Sequence, residues 1–581
     1  MKKRSQTGAA DKSAEPADKS RMLPIKMPRP PKKSPPYDKM NYAIMDKKFT
    51  GKALVMNGSD TNKLVKGALL LTLAGVISKL LSAGYRIPLQ NLTGDVGFYI
   101  YQQVYPILGI ALVLSLYGFP SAVSAMAAAY GTRGSDTVKQ FYIPVFLLLF
   151  SGCLAVFVLL FFNADLLANL AGDKRLEQVY RIASFAFLLV PFSALLRGIF
   201  QGNQQMKPTA HSQVGEQFVR VFVIIAAAVY IYIQEGNMYV IGQAAAVAAM
   251  LGSVTAVVIL LLFIKKYKPA PGHFVDIPWR YYTKTLFILG TAAALNHMVL
   301  ILIQLADAFT LVPGLMDSGL SQLEAMKAKG VFDRGQPLIQ LGTVLGSSFA
   351  LALIPAISRE KLTAAPGAFY TYVQHAITVS FYLAVGATLG LIAVFPETNS
   401  LLFQNDKGTD SLRVLSLSVI LSSIAITAAS ILQGLGYIKR TAGFILIAFI
   451  IKCSANTLLV PLFGITGGAV ATVLSLSVLT LLLLGTVKRM LPGLHVEKQI
   501  NWTALIVAAF GMLAYLSVID FLTPDIASRG GLLLYVLFIV ITGALLYIFL
   551  LLRFRAFTEK ELSMLPFAGF WIRLHKEREI K

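Results

Sequence analysis

The chain has 581 residues, of which 56% are hydrophobic and only 14% are charged, whereas a soluble domain is about one quarter charged. Its apolar residues come in blocks of roughly 20, the number that a helix needs to cross a bilayer. This pattern excludes a soluble enzyme, a disordered chain and a fibrous protein, and it predicts an all-α polytopic membrane protein. The formal net charge of +23 would indicate nucleic-acid binding in a soluble protein. Here basic cytoplasmic loops explain it, and no nucleic-acid partner is expected.

The first segment of the chain, residues 1–62, is polar, basic and rich in proline. It has no apolar run, so it is not a signal peptide, and its composition predicts a disordered cytoplasmic tail. The tail is either solvated without a specific role or in contact with anionic lipid headgroups. A third interpretation is that translation starts at Met56, just before the first apolar block.

About fourteen apolar blocks follow, and each has the length of a bilayer crossing. They lie near 67–90, 98–128, 141–162, 179–200, 213–233, 238–264, 285–309, 335–357, 373–395, 412–434, 441–461, 465–486, 502–522 and 531–553. Pro120 within the second block predicts a kink or an early end of that helix. The short joints between blocks make most neighbouring helices antiparallel.

The basic residues indicate the orientation of the chain in the membrane. Lys and Arg are more numerous in the joints on the side of the N-terminus than in the opposite joints, and residues 556–581 form a basic tail. Basic loops face the cytoplasm, so both termini are predicted to be cytoplasmic. An even number of spans agrees with that orientation.

Three short landmarks recur six spans apart and indicate an internal repeat. The pairs are Gly118–Ser124 with Leu353–Ser358, Gln201–Gly202 with Gln433–Gly434, and Gly242–Ala246 with Gly467–Ala471. Because the offset is an even number of spans, the repeats share their orientation and are related by an axis along the membrane normal. We predict a six-helix N-terminal lobe at 63–264, a six-helix C-terminal lobe at 265–486 and two extra helices at 487–555, with a cleft between the lobes that opens to one side at a time. The alternative is a gene duplication without a transport role.

Charged side chains inside the apolar blocks are the candidate binding residues, because intramembrane charge is costly and usually lines a polar cavity. Lys79 and Arg86 lie about two turns apart on nearly the same helix face. Glu216 and Arg220 have the i, i+4 spacing of an ion pair, which suits a structural pair as well as a ligand contact. The other candidates lie in or beside the seventh, eighth and eleventh spans: Asp307, Asp333, Arg334, Gln336, Lys452 and Asn456.

Structural explanations stay open for several charged or polar residues. Lys79 and Arg86 are long enough to snorkel to the membrane interface, Arg197 suits a topology anchor at the inner end of the fourth span, and His297 suits a hydrogen-bonded helical histidine better than a proton relay. A cluster of cations in a cleft favours an anionic ligand such as a diphosphate, since guanidinium and ammonium groups pair with phosphate oxygens. The two cysteines have no spacing typical of metal ligands or disulfides, and no metal site or cofactor is predicted.

Several motifs resemble those of one family of transporters. The first span and its exit contain Lys66–Thr72, Ser78–Leu81 and Tyr85–Leu89, and further motifs stand at Arg197–Ala210 and Phe332–Pro337. Over residues 63–555 the chain resembles the polysaccharide-transporter and lipid II flippase branch of the multidrug/oligosaccharidyl-lipid/polysaccharide exporter superfamily, including its stage V sporulation protein B type. The run Arg197–Ala210 is the most specific part of this resemblance.

The resemblance implies a fourteen-helix, two-lobed transporter of the bacterial cytoplasmic membrane that flips undecaprenyl-diphosphate-linked saccharides from the inner to the outer leaflet. Relatives use basic residues of the first and eighth spans against the diphosphate, and Lys79, Arg86 and Arg334 match them here. Lys79 departs from the pattern, since relatives often carry arginine there, and Arg86 is slightly displaced. Some relatives hold a sodium ion between the seventh, eleventh and twelfth spans. Lys452 falls in that place, and because an ammonium repels sodium, no sodium site is predicted.

The leading hypothesis is therefore a lipid-linked saccharide flippase, which breaks no bond and is not an enzyme. A multidrug exporter of the same superfamily would need acidic residues facing the cleft, and buried acids such as Glu216 and Asp307 are few. A membrane polysaccharide polymerase or glycosyltransferase would need catalytic residues on large outer loops, and the longest predicted outer loop, 310–334, is short. The expected partners are the lipid-linked saccharide and membrane lipids, without an obligate protein partner. The glycan (lipid II, a capsule or teichuronic-type unit, or a spore-cortex precursor) and the coupling to membrane potential, protons or another ion stay open.

Overall fold

The computed structural model describes residues 58–130, 141–264, 278–353, 366–523, 526 and 528–557. The chain divides into two units, 1–61 and 62–581, and apart from the start of the first helix the elements described below belong to the second. Nearly all of the predicted tails at 1–62 and 556–581 lies outside the described residues. Within the described ranges all regular elements are helices, which confirms the predicted all-α class.

The α-helices of the described chain are numbered in order. Their bounds are α1 Gly58–Gly84, α2 Arg86–Val113, α3 Phe119–Tyr130, α4 Ile143–Phe162, α5 Ala164–Leu170, α6 Glu177–Ser184, α7 Ala186–Gly202, α8 Met206–Gln234, α9 Tyr239–Ile264, α10 Trp279–Lys284, α11 Thr291–His297, α12 Val299–Asp317, α13 Gln322–Asp333, α14 Gly335–Leu353, α15 Pro366–Ala393, α16 Phe395–Phe403, α17 Thr409–Ser416, α18 Ser418–Gly434, α19 Ile438–Met490, α20 Val496–Gln499, α21 Trp502–Leu522 and α22 Arg529–Arg553. Two π-helical turns, Leu114–Gly118 and Thr285–Gly290, and a 3-10 turn, Lys174–Leu176, complete the helical elements.

Eleven helical segments of the described chain are long and apolar enough to cross a membrane. Two of them, Leu70–Ala127 and Ile438–Met490, have 58 and 53 residues, more than twice the roughly 20 that one crossing requires. Each breaks at a left-handed glycine, Gly94 with φ 66° and Gly464 with φ 58°, so each is long enough for two crossings. The predicted polytopic membrane fold is confirmed, and the count of fourteen spans stays a prediction.

The second span is irregular where Pro120 predicts a kink. Proline has no amide hydrogen for the helix ladder, and the π-turn Leu114–Gly118 stands just before it. A second π-turn, Thr285–Gly290, lies at the start of the seventh predicted span. The two turns pack together closely, because a Cβ atom added to Gly118 would lie 2.8 Å from the carbonyl oxygen of Gly290. Small residues thus bring segments from the two halves of the chain into contact.

The predicted outer joint at 310–334 is largely helical. Helix α12 continues to Asp317, and α13 occupies most of the rest. Ser321 caps α13: its hydroxyl oxygen accepts from the Glu324 amide at 3.4 Å, and its own amide donates to the Glu324 carboxylate at 3.0 Å. The hydroxyl and amide of Ser321 lower the pKa of Glu324. This capping box fixes the start of the helix that leads into the candidate site.

Three apolar clusters hold the helices together. The first joins side chains of the N-terminal half to residues such as Leu311 and Phe332 of the C-terminal half. The second joins side chains of α12, α15, α18 and α19. The third packs α21 and α22 onto α15, where the Tyr547 hydroxyl donates to the Tyr382 carbonyl at 2.8 Å. The predicted domain bounds, 63–264 and 265–486 for the lobes and 487–555 for the last two spans, stay predictions.

Candidate functional site

Two predicted cations of the N-terminal half form no ion pair with any described residue. Arg86 begins α2 and is fully buried, and none of its three guanidinium nitrogens has a hydrogen-bond partner within the described chain. Lys79 on α1 is half-buried and likewise lacks an acidic partner among the described side chains. Uncompensated buried charge costs several kcal/mol per ion. Both side chains are therefore suited to an anion that comes from outside the chain.

Tyrosine rings supply the nearest stabilisation of Arg86. Its guanidinium carbon lies 4.0 Å from the ring centroid of Tyr105. The Tyr101 ring stands 5.9 Å from Tyr105, and the hydroxyls of Tyr85 and Tyr101 are in hydrogen-bond contact. The negative face of an aromatic ring attracts a cation, but it does not neutralise the charge. Arg86 thus has a buried positive charge that no described carboxylate neutralises in this conformation.

Arg197, Glu216 and Arg220 form one buried cluster. Arg197 Nη2 donates to Glu216 Oε2 at 2.7 Å, and Arg220 Nη2 donates to Glu216 Oε1 at 3.2 Å. Arg197 also donates to the hydroxyls of Ser212 and Ser115, each at 3.1 Å. The predicted Glu216–Arg220 pair is confirmed. The interpretation of Arg197 as a topology anchor is wrong, because its side chain is fully buried and paired in the interior.

Arg334 joins the two halves of the chain. It is fully buried, and its Nη2 donates to Asp95 Oδ1 at 2.5 Å, while its Nη1 donates to Asn405 Oδ1 at 2.6 Å. Asp95 follows the left-handed glycine that separates the first two spans, so the ion pair connects the N-terminal half to the eighth span. In this conformation the Arg334 charge is already neutralised.

Asp333 and Gln336 lie on either side of Arg334. Asp333 is buried and accepts a hydrogen bond from Lys329 Nζ at 2.6 Å, one helical turn earlier. Lys329 lies in the predicted outer joint 310–334, and its side chain is only 1% exposed. Gln336 is buried at the start of α14.

The three remaining predicted residues form a second buried group. Lys452 Nζ lies 2.7 Å from Asp307 Oδ1 and 2.9 Å from Asn456 Oδ1. The Asn456 amide nitrogen donates to Asp307 Oδ1 at 2.8 Å. The structure therefore brings Asp307, Lys452 and Asn456 together, as an ion pair with an amide beside it.

Further contacts join the two halves near Asp95 and Arg334. In the predicted orientation this end of the helices faces the outside of the cell. The Asn91 amide donates to the Leu402 carbonyl at 2.9 Å, and Gln404 donates to Asn91 at 3.2 Å. The backbones approach closely at Gly330, where an added Cβ atom would lie 2.1 Å from the Asp95 carbonyl oxygen. Together with the Asp95–Arg334 pair, these contacts hold that end of the two halves together.

The charge balance differs between the two halves. In the N-terminal half, the carboxylate of Glu216 is the acidic partner of Arg197 and Arg220, and Lys79 and Arg86 have none among the described residues. In the C-terminal half, the buried cations Lys329, Arg334 and Lys452 each have a carboxylate within 2.7 Å. The uncompensated positive charge thus lies in the N-terminal half, as expected for a site that binds an anion.

A separate cavity of about 540 Å³ opens away from these residues, beside the 3-10 turn. Its lining combines apolar rings with charged side chains: Phe161, Lys174, Arg175, Glu177, Gln178, Arg181, Ile182 and Phe185. Arg181 and Glu177 form an exposed pair at 2.6 Å, and such surface pairs contribute little. This cavity is not the predicted cleft.

The described residues include no group of three His, Cys, Asp or Glu side chains that could hold a metal ion. Cys153 and Cys453 are free thiols.

Sequence reasoning missed Asp95 and Asn405, the two partners of Arg334. Both stand in or near joints between spans. A single polar residue there belongs to no helical pattern of polar and apolar residues, so the sequence does not predict its contacts. Their roles depend on how distant segments pack. A hint for Asp95 is its position beside Gly94, since a glycine with positive φ marks a bend that redirects the chain.

Comparison with known proteins supports the predicted family. Residues 64–361 match the family described as polysaccharide biosynthesis protein. The chain is 38% identical over 523 residues to the uncharacterized membrane protein YabM of Bacillus subtilis (strain 168). This match covers 88% of this chain and 97% of the relative. It is 26% identical over 438 residues to the lipid II flippase MurJ of the same organism, which covers 71% of this chain and 80% of that protein.

A solved structure agrees in fold. The chain is similar to the lipid II flippase MurJ in an inward closed conformation, with a TM-score of 0.63, 14% identity, and coverage of 84% of this chain and 99% of that one. The resemblance proposed from the motifs is thereby confirmed. The chain belongs to the polysaccharide biosynthesis protein family, in the polysaccharide-transporter and lipid II flippase branch of the multidrug/oligosaccharidyl-lipid/polysaccharide exporter superfamily.

Proposed function

We propose that this protein is a flippase that moves undecaprenyl-diphosphate-linked saccharides across the bacterial cytoplasmic membrane by alternating access. The observation that carries the proposal is the uncompensated positive charge of the N-terminal half, above all the buried guanidinium of Arg86, which has no hydrogen-bond partner in the described chain. A diphosphate brings at least two negative charges into a medium where unpaired charge is costly. Guanidinium and ammonium groups are its natural partners.

The substrate is amphipathic, and the proposed path follows from that. The saccharide and diphosphate cross within the cleft between the two halves, while the prenyl chain stays in the bilayer. Lys79 and Arg86 bind the diphosphate from the N-terminal half. Arg334 adds a contact from the other half when its pair with Asp95 opens. No bond is made or broken, so we propose that the protein is a transporter and not an enzyme.

The alternative of a multidrug exporter is less well supported. A cationic drug needs a carboxylate with spare negative charge, but the buried acids Glu216, Asp307 and Asp333 each pair with at least one cation of the chain. A site with more cations than carboxylates repels a cationic ligand. The same feature that favours a diphosphate thus opposes a small cation.

Purified protein in liposomes tests the proposal. Fluorescent lipid II and a second undecaprenyl-diphosphate saccharide are placed in the membrane, and the fraction that becomes accessible to an external quencher is followed in time. We expect transport by the wild type, a strong loss in Arg86→Ala, and no change in Arg181→Ala, an exposed arginine far from the site. Equal transport by all three proteins, or transport of a cationic dye in place of both lipids, would contradict the proposal. Depletion of the gene, with identification of the lipid-linked saccharide that accumulates, then identifies the glycan.

A further inference from the structure

The ammonium of Lys452 lies inside a cage of oxygen atoms. Four oxygens surround Nζ at 2.7 to 2.9 Å: Asp307 Oδ1 at 2.7 Å, the Gly468 carbonyl at 2.8 Å, Thr472 Oγ1 at 2.8 Å and Asn456 Oδ1 at 2.9 Å. Lys452 and Asn456 are fully buried, and Asp307 is 1% exposed. The ammonium therefore has no contact with water in this conformation, and protein oxygens replace its hydration shell.

Three helical segments build this cage. Asp307 comes from α12, Lys452 and Asn456 come from α19 before its break at Gly464, and the remaining two ligands come from α19 after the break. The Asn456 amide nitrogen donates to Asp307 Oδ1 at 2.8 Å and to Thr310 Oγ1 at 2.7 Å. These bonds leave the amide oxygen pointing at Nζ. Each ligand is thus held in place by the fold around it.

The composition of the cage selects the charge of its occupant. It holds one carboxylate and three neutral oxygens, so a single positive charge balances it. Divalent ions use more oxygens and usually more carboxylates. An ammonium also has only three hydrogens to donate, whereas four oxygens lie within bonding distance. Three of these oxygens accept the hydrogen bonds of the ammonium, and Asp307 is its charge partner. Four oxygens at such similar distances also suit a bare monovalent ion.

We propose that Lys452 is a tethered substitute for an alkali-metal ion: its ammonium fills a monovalent-cation cage between three segments of the C-terminal half. The wild type then needs no metal ion to hold these segments together, and its stability does not depend on which alkali cation is present. Asp307 Oδ2 is buried and has no hydrogen-bond partner among the described residues, so it is available as a fifth ligand. Shortening the lysine opens a site for Na⁺ or K⁺. This inference does not depend on the proposed substrate.

Thermal unfolding of the full-length protein in detergent tests the cage without any substrate. Wild type, Lys452→Ala and Lys452→Met are heated in choline chloride, NaCl and KCl at equal ionic strength. We expect the wild-type Tm to be the same in all three salts. Lys452→Ala should have a lowered Tm in choline that rises by several degrees with Na⁺ or K⁺ along a saturation curve, because a ligand bound only by the folded state stabilises it. Lys452→Met should show no such rise, since its side chain fills the cage without a charge.

A double variant separates cage binding from a general effect of salt. Lys452→Ala combined with Asp307→Asn keeps the space but removes the carboxylate, so its Tm should not respond to alkali ions. If Lys452→Ala is recovered folded only in NaCl or KCl, the inference holds. The inference is overturned if the Tm of Lys452→Ala is the same in all three salts. It is also overturned if this variant cannot be recovered folded in choline chloride, NaCl or KCl. It is also overturned if the wild type is stabilised by an alkali ion over choline, or if Lys452→Met responds as Lys452→Ala does.

Discussion

Replacing Arg86 by methionine separates a ligand-binding role of this side chain from a structural one. Methionine is long and adaptable, so it retains much of the apolar packing while it removes the charge. A guanidinium that holds the fold together should leave the protein less stable when it is lost. Loss of a guanidinium kept for an external anion should leave the protein at least as stable, but with strongly reduced transport.

The geometry gives the expected size of each effect. The contact of Arg86 with the Tyr105 ring at 4.0 Å is worth about 2 kcal/mol when desolvated. The uncompensated buried charge costs several kcal/mol, because no described hydrogen-bond partner offsets it. The substitution removes both effects, and the cost of the buried charge exceeds the stabilisation by the ring, so the Tm of Arg86→Met should rise. Transport should fall about ten- to one-hundred-fold, because a hydrogen bond to a charged group contributes about 1.5–3 kcal/mol and 1.4 kcal/mol is tenfold.

Arg197→Met is the matched control. Arg197 is as deeply buried as Arg86, but it pairs with Glu216 at 2.7 Å. Breaking a buried pair by removing one partner costs about 3–5 kcal/mol, so this variant should unfold at a lower temperature. Both variants are compared with wild type by thermal unfolding in detergent and by transport in liposomes. If Arg86→Met is destabilised as much as Arg197→Met, the Arg86 charge is structural and the reasoning fails.

Three further predictions concern the other charges and the topology. Lys79→Arg should keep more transport than Lys79→Ala because it keeps the charge; equal loss in the two variants would show that charge is not what matters. Asp95→Asn removes the carboxylate that neutralises Arg334, so the affinity for a diphosphate lipid in a binding titration should increase, and an unchanged or lower affinity would contradict this. A single cysteine at Ser318, which is exposed, should react with an impermeant thiol reagent on intact cells while one at Thr363 should not; the reverse pattern would overturn the predicted orientation.

Much of the fold can be predicted from the sequence because each membrane-spanning helix needs a minimum length. Each apolar block must span about 30 Å of hydrocarbon, so hydropathy alone finds the helices. The blocks predicted at 502–522 and 531–553 correspond to Trp502–Leu522 and Arg529–Arg553. The Glu216–Arg220 ion pair can also be predicted, because both residues lie on one helix and their spacing brings the two side chains close together.

Contacts between distant segments are what the sequence does not reveal. Arg197 reaches Glu216 across two helices, and Arg334 reaches Asp95 across 239 positions of the chain. Neither pair has a spacing that a single helix would explain. The same limit applies to Lys452: the sequence indicates a cation among polar residues, but only the packing of α12 against α19 shows that Asp307 neutralises it.

The unequal charge balance of the two halves bears on how a flippase of the proposed kind would release its substrate. A diphosphate held by two fixed cations in a dry cleft dissociates slowly unless another anion takes its place. Asp95 follows Arg86 in the same half, just beyond the break at Gly94, and pairs with Arg334 where the halves meet at their predicted outer end. In a flippase of the proposed kind, opening of that end would break the pair and free the carboxylate of Asp95. Asp95 would then be an internal anion able to compete with the diphosphate for the cations of its own half, so that tight binding in one state would not prevent release in the other.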